Sequence, residues 1–247
     1  MLVASVWWCA LSNLAGVVPC YSFYRQGDPP SGVLVLLAAA ASVLFHMNNA
    51  LPQRHAIVDW FDRDAIRMVD VMLADLLLLY VSLYSAFGAR QQDALRAAWF
   101  MMLPIEMYLF AEGRSADHKL ARETFLLVCC GACVLFRVAR MRRFVGAAAE
   151  GPSGRNLAQT TSTLYFAAAC LIAVTDLFMY RWLADPLGPA KPYNMYHGVH
   201  HVLAYAAVTI FVKAESVLLE ALGPPTSRTH MATADAADVE LGFVGCA

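Results

Sequence analysis

Long apolar runs separated by short polar stretches dominate this chain of 247 residues. A helix that crosses a bilayer needs about 20 consecutive, mainly apolar residues. Seven segments approach that requirement, so the pattern predicts an all-α membrane protein with a bundle of seven transmembrane helices. The predicted spans are 2–21, 32–50, 66–88, 95–111, 118–137, 158–181 and 194–213.

The two ends of the chain are interpreted from their flanking residues. Residues 2–21 are predicted to be a span rather than a cleaved signal peptide, because no basic stretch precedes them and no small-residue cleavage site follows. Residues 1–213 therefore form the predicted membrane domain. Residues 214–247 are predicted to form one short amphipathic turn and then a mostly disordered cytoplasmic tail.

Arginines set the expected orientation. Cytoplasmic loops carry an excess of Lys and Arg. The predicted loop between the fifth and sixth spans is the richest in arginine, which makes it the cytoplasmic one. Counting spans from this loop places the N-terminus outside and the C-terminus in the cytoplasm. The loop arginines are Arg137, Arg140, Arg142, Arg143 and Arg155.

Composition narrows the class of protein further. Hydrophobic residues make up 60% of the chain and charged residues 15%, against about 25% charged in a typical soluble domain. The net charge of -1 leaves no basic surplus for a nucleic-acid partner. We expect a multi-pass protein of the plasma membrane or the secretory pathway, with a membrane lipid as substrate or ligand; a homo-oligomer is left open. Most of the seven cysteines lie in apolar runs and are interpreted as small core residues.

Several polar residues fall at one depth in the predicted membrane. With the N-terminus outside, His46 lies near the outer end of the second span, and Ser42 lies four residues earlier on the same helix face. Asp70 lies in the first turns of the third span. His197 and His201 lie in the outer half of the seventh. Ionisable residues inside spans are costly and are usually functional, so this coincidence predicts a single site near the extracytoplasmic face.

The three histidines of this set match the ligands of zinc. His197 and His201 are four residues apart, so their rings share one face of a helix. His46 from a second helix is the predicted third ligand, and three protein ligands leave a fourth position open for water, as in catalytic zinc sites. His200 points about 100° away from His201 and is predicted to support the site from outside it.

Two further residues give the predicted site an enzyme-like character. Asp70 is placed to orient and deprotonate a zinc-bound water, and Ser42 to hydrogen-bond that water or a developing oxyanion. Simpler readings exist for each polar residue. His46 can cap a helix end, Asp70 can pair with Arg67 on its own helix, and Asp176 can be neutralised by Arg181.

Three segments resemble the transmembrane-protein-8 and myomaker family of the CREST superfamily, which includes alkaline ceramidases and progestin and adipoQ receptors. The segments are "SVLFHM", "RDAIRMVDVMLADLLLLYVSLYSA" and "YNMYHGVHHVLAYAAV". The family has seven spans, an outward N-terminus, a serine-x-x-x-histidine in the second span, an aspartate in the third and a histidine-x-x-x-histidine in the seventh. Those positions fall on Ser42, His46, Asp70, His197 and His201.

The resemblance implies a zinc ion held by the three histidines. It also offers a second acidic position, Asp64, beside Asp70. Ceramidases and adiponectin receptors hydrolyse sphingolipid amides, and one member of the closer branch removes an acyl chain from GPI anchors. Myomaker instead promotes cell–cell fusion, and its tail carries cysteines that can be lipidated, which Cys246 faintly resembles.

Two functions therefore compete. The first, slightly favoured because Ser42 and Asp70 accompany the histidines, is a zinc-dependent hydrolase of a lipid ester or amide. The second is a myomaker-like fusion or remodelling protein with a structural zinc, which the short length of the chain favours. A seven-helix receptor or transporter ranks below both, because the sequence offers no coupling-ion signature and no pair of broken helices.

Overall fold

A computed structural model describes residues 2–50, 63–88, 91–112, 116–148, 153–178 and 193–222. Over these residues the chain is helical and contains no β-strand, so the all-α prediction is confirmed for them. A 3-10 turn, Asn13–Gly16, separates the first two α-helices. Helices α1 to α8 are Leu2–Ser12, Val17–Arg25, Pro29–Ala50, Arg63–Phe87, Gln92–Glu112, Ala116–Ala148, Ser153–Phe178 and Tyr193–Leu222.

Four helices in the described part of the chain are long and apolar enough to cross a membrane. These stretches lie in α3, α6, α7 and α8 and are Pro29–Asn48, Leu120–Met141, Leu157–Asp176 and Met195–Glu220. Large apolar side chains such as Met101, Leu127 and Leu135 remain exposed on the outer surfaces of the helices, as expected where lipid replaces water. The membrane character of the chain rests on these four helices.

The first predicted span is broken in the structure. In an unbroken helix the ring of Pro19 would clash with the carbonyl of Ala15, four residues earlier. The 3-10 turn resolves this conflict, because it places Pro19 at the third position of α2, where backbone N–H groups have no partner inside the helix. The break leaves the polar side chain of Asn13 buried in the bundle interior.

All five arginines assigned above to a loop lie in helices, four of them in α6 and Arg155 in α7. Helix α6 runs to Ala148, so Arg137 and Arg140 are helical, and the Arg137 side chain is only 1% exposed. Both contact Glu215 on α8, with Arg140 Nη2 2.8 Å from the carboxylate oxygen Oε1. The arginine count that set the orientation therefore rests on residues that lie in helices, and two of them are paired with a buried glutamate.

This ion cluster, Arg137, Arg140 and Glu215, joins four helices. Arg137 donates to the Ser85 carbonyl at the end of α4 and to Ser162 on α7. A cation is favourable there because the last carbonyls of a helix carry partial negative charge. Glu215 was predicted to lie in a tail, but α8 continues to Leu222, so its buried carboxylate belongs to the helix bundle.

A glycine makes room for this cluster. Gly88 ends α4 with a φ of 80°, a left-handed conformation that favours glycine. A Cβ at this position would collide with the guanidinium of Arg140 and lie 2.8 Å from a Glu215 carboxylate oxygen. The close approach of α4, α6 and α8 therefore depends on the missing side chain.

At the other end of the bundle, α1 packs against both α3 and α8. One close approach is at Gly198 of α8, where an added Cβ would collide with the indole of Trp8. The Trp8 indole N–H also donates to the carbonyl of Met195 at 3.2 Å. This packing brings the first helix to the level of the histidines on α3 and α8.

Candidate metal centre

The structure brings the three predicted histidine ligands together. His46 comes from the last turns of α3, and His197 and His201 come from the first turns of α8. The ring centroids of His46 and His197 are 4.9 Å apart, those of His46 and His201 5.2 Å, and those of His197 and His201 4.6 Å. All three rings are almost entirely shielded from solvent.

A fourth donor, which the sequence analysis interpreted as a core residue, completes the group. The Cys9 Sγ lies 3.4 Å from His46 Nε2. One ligand atom from each of Cys9, His46, His197 and His201 can be chosen so that all four lie within 4.8 Å of one another. The cysteine could have been found by applying the same depth argument to the first span, where it falls at the level of the histidines.

These donors fit zinc by type and number. Zinc takes nitrogen and thiolate ligands in a tetrahedron, with Zn–N about 2.0–2.1 Å and Zn–S about 2.3 Å. Two ligand atoms of such a tetrahedron lie about 3.4–3.6 Å apart, close to the 3.4 Å between Cys9 Sγ and His46 Nε2. The four side chains come from three helices, α1, α3 and α8.

Polar groups of the first span surround one nitrogen of His201. Its Nδ1 lies 3.0 Å from Ser12 Oγ, 3.0 Å from Asn13 Nδ2 and 3.2 Å from the carbonyl of Cys9. Because these groups fill the space around Nδ1, Nε2 is the nitrogen left to face the cluster. Such hydrogen bonds to the far nitrogen of a ligating histidine fix its ring orientation and tautomer.

Of the two predicted catalytic residues, Ser42 contacts His201 and Asp70 contacts Ser42. Ser42 Oγ is 3.3 Å from His201 Nε2 and is also hydrogen-bonded to the side chain of Asp70. Asp70 interacts electrostatically with Arg67, as the simpler reading anticipated, and with His200. A chain of polar contacts thus leads from α4 through α3 to α8, although the Asp70 carboxylate is not part of the four-donor group.

The remaining predicted residues have other surroundings. His200 Nδ1 lies 2.8 Å from the Asp176 carboxylate on α7, so it links α7 to α8. Asp176 therefore has a partner other than the expected Arg181, which lies outside the described residues. Asp64 belongs to the first turn of α4, and its side chain is not among those described.

Comparisons with known proteins leave the family open. No protein-family model matches the chain, and no curated protein is significantly similar to it. The site is therefore interpreted from its own geometry and chemistry.

Proposed function

We propose that this chain is a seven-span membrane protein whose outer half holds a zinc ion through Cys9, His46, His197 and His201. The ion cluster of Arg137, Arg140 and Glu215, at the other end of the helix bundle, supports this orientation. Glu215 follows His197 by 18 residues, which is about 27 Å along a helix and close to the thickness of the hydrocarbon core, about 30 Å. The two polar groups would thus lie near opposite faces of the bilayer, with the arginines inside and the N-terminus outside.

We further propose that the zinc is structural. The observation that carries this proposal is the Cys9 thiol beside His46, because it supplies a fourth protein donor. Structural zinc sites have four protein ligands, whereas catalytic sites have three and leave one position open. When bound, zinc would supply a redox-inert cross-link between α1, α3 and α8 and contribute directly to folding free energy.

The role that best fits a closed site is membrane remodelling or cell–cell fusion of the myomaker type. The resemblance at Ser42, His46, Asp70, His197 and His201 supports this role, and hydrolysis is not needed for it. In a content-mixing assay between two cell populations, we expect Asp70→Asn to preserve fusion. Loss of fusion in an Asp70→Asn protein that reaches the cell surface normally would contradict this role.

Metal analysis of the purified full-length chain tests the site. We expect one zinc per chain, lost in His46→Ala and His201→Ala. With cobalt in place of zinc, we expect a thiolate-to-cobalt charge-transfer band that disappears in Cys9→Ala. Cys170→Ala is the matched control, because this half-buried thiol on α7 is outside the four-donor group. A cobalt spectrum unchanged by Cys9→Ala would exclude the closed site.

The contact of Ser42 with both Asp70 and His201 favours a second candidate, the lipid hydrolase. In that case Cys9 would not be a ligand, and zinc would polarise a lipid carbonyl and activate water. Asp70 would accept a proton during the attack, and Ser42 would donate a hydrogen bond to the developing oxyanion. Chelator-sensitive release of fatty acid from membrane lipids, abolished by Asp70→Asn and His201→Ala, would select this candidate over the first.

A further inference from the structure

The ion cluster of Arg137, Arg140 and Glu215 sets two guanidinium groups against one carboxylate. Arg140 Nη2 donates to both carboxylate oxygens, at 2.8 and 3.0 Å, and Arg137 Nη1 contacts one of them. A second buried acid, Asp28 before α3, accepts from the Tyr80 hydroxyl at 3.1 Å and contacts neither arginine in the described part of the chain. The cluster therefore carries one positive charge that no acidic contact neutralises.

The surplus charge lies where charge is costly, because a charged side chain inside a bilayer normally pairs with an acid or lines a polar cavity. The Arg137 side chain is 1% exposed; its Nη atoms donate to Ser85 and Ser162, and its Nε has no hydrogen-bond partner among the described residues. The carbonyls at the end of α4 and the ring of Phe166, 5.5 Å from the guanidinium carbon, offset part of the charge. They supply only partial charges, so the cluster retains an attraction for an anion.

Arg140 is the part of the cluster that a ligand can reach. Its side chain is 23% exposed, and its hydrogen bonds to the described residues all run from Nη2, which leaves Nη1 and Nε. It is the second-last residue of the apolar stretch Leu120–Met141, so its guanidinium lies close to the level of the lipid headgroups. Phe136, four residues earlier on the same face of α6, is 50% exposed. A guanidinium beside an exposed aromatic ring fits a lipid, whose phosphate and acyl chains need these two environments side by side.

We propose that Arg140 binds the phosphate of an anionic membrane lipid, with the acyl chains of that lipid packed along Phe136. Guanidinium groups bind phosphate oxygens through two parallel N–H donors, and basic pockets between transmembrane helices bind anionic headgroups on the cytoplasmic side. Arg137 acts from behind, because it pairs with Glu215 and so leaves the charge of Arg140 for the lipid. The site lies toward the opposite end of α8 from the metal centre and does not depend on the role of the zinc.

The test compares the full-length protein in nanodiscs of phosphatidylcholine alone and of phosphatidylcholine mixed with phosphatidylglycerol, whose only charge is its phosphate. A ligand that binds the folded state raises the thermal midpoint, so we expect a higher midpoint in the mixed nanodiscs. Native mass spectrometry with increasing phosphatidylglycerol measures the affinity. We expect Arg140→Gln to weaken binding by about fivefold, the contribution of one arginine near a membrane surface, and to remove most of the midpoint difference.

Two variants separate this site from general surface charge. Arg140→Lys keeps the charge and should retain most of the affinity. Arg96→Gln is the matched control, because it removes an exposed arginine near the start of α5 whose ion pair is with Asp93 of its own helix. It should leave both the affinity and the midpoint difference unchanged.

Two glutamates test the charge imbalance from the other direction. Glu215→Gln removes the carboxylate that neutralises the arginines, so it should tighten phosphatidylglycerol binding by about fivefold. Its midpoint should therefore fall less in the mixed nanodiscs than in phosphatidylcholine alone. Glu220→Gln makes the same chemical change at an exposed position of α8 and should leave the affinity unchanged. A cluster that is only structural would make Glu215→Gln lower the midpoint equally in both lipids.

The proposal is overturned if Arg140→Gln and Arg96→Gln weaken phosphatidylglycerol binding equally, or if Glu215→Gln binds this lipid no more tightly than Glu220→Gln. It is also overturned if inorganic phosphate raises the midpoint in phosphatidylcholine nanodiscs as much as phosphatidylglycerol does, because the ligand would then be a soluble phosphate. If Arg140→Gln does not fold, the comparison of Glu215→Gln with Glu220→Gln decides the question.

Discussion

Replacing Glu215 by Gln tests the ion cluster of Arg137, Arg140 and Glu215, because it removes the carboxylate that contacts both arginines. The Arg137 side chain is 1% exposed and that of Glu215 is 4% exposed, so little water can reach the charge that remains. Removing one partner of a buried ion pair costs about 3–5 kcal/mol. Since Gln can still accept a hydrogen bond and Arg137 keeps Ser85 and Ser162, we expect a loss of about 3 kcal/mol, near the lower end of that range.

The loss is measurable as a shift in thermal unfolding. For a chain of this size, 1 kcal/mol corresponds to about 2–4 °C in Tm, so Glu215→Gln should lower the midpoint by about 6–12 °C. Intrinsic fluorescence in nanodiscs at one fixed scan rate is a suitable assay, because unfolding of such proteins is often irreversible and the midpoint then depends on scan rate.

Two further variants make the comparison decisive. Glu220→Gln makes the same chemical change at an exposed position of α8 and should shift the midpoint by less than about 2 °C. The pair Arg137→Met with Glu215→Leu removes the two most buried charges and should recover part of the loss, because the Arg140 side chain that loses its partner is 23% exposed and can reach solvent. Equal midpoints for Glu215→Gln and Glu220→Gln would refute the claim that this cluster holds α4, α6, α7 and α8 together.

Other predictions follow from close packing and from the α7–α8 contact. Gly198→Ala should push the Trp8 ring from its position and destabilise the protein by about 1–3 kcal/mol, whereas Gly131→Ala, where a Cβ meets nothing within 4 Å, should be neutral or stabilising by about 1 kcal/mol; similar midpoints for the two would contradict the packing argument. Asp176→Asn should weaken the contact with His200 and lower the thermal midpoint without changing zinc content; loss of zinc would instead place this pair within the metal centre. Zinc removal by a chelator should lower the midpoint of the unaltered protein but not that of His46→Ala, and an equal decrease in both would indicate a chelator effect unrelated to the site.

Much of the helical pattern follows from local properties of the sequence. The predicted segment 32–50 corresponds to the helix Pro29–Ala50, and 66–88 corresponds to Arg63–Phe87. Long apolar runs specify such helices because every backbone group is then paired within the segment. The break after Ser12 is harder to predict, since it depends on where the chain relieves the clash of Pro19.

Predictions that depended on charged residues were less successful, because the position of a charged residue in the sequence does not show which residue it pairs with. Arg137 and Arg140 were interpreted as loop residues, yet their shared partner Glu215 lies 75 residues beyond Arg140 in the sequence. To identify these partners, one would have needed to know how α6, α7 and α8 pack against one another. A buried salt bridge between distant helices and a solvated basic loop have the same local sequence pattern.

The candidate site shows the same limit. The four-residue spacing of His197 and His201 places them on one helix face, and their predicted depth in the membrane matches that of His46. Cys9 was passed over because a single cysteine in an apolar run usually packs as a small hydrophobic residue. Its depth in the first span would have marked Cys9 as a candidate, and the packing of α1 against α3 and α8 brings its thiol to the histidines.

X-ray absorption at the zinc edge of the purified full-length chain tests the closed metal centre most directly. The account predicts one sulfur neighbour at about 2.3 Å and three nitrogen neighbours at about 2.0–2.1 Å, with the sulfur absent in Cys9→Ala. A zinc shell made of nitrogen and oxygen alone in the unaltered protein, or the absence of bound zinc, would contradict it.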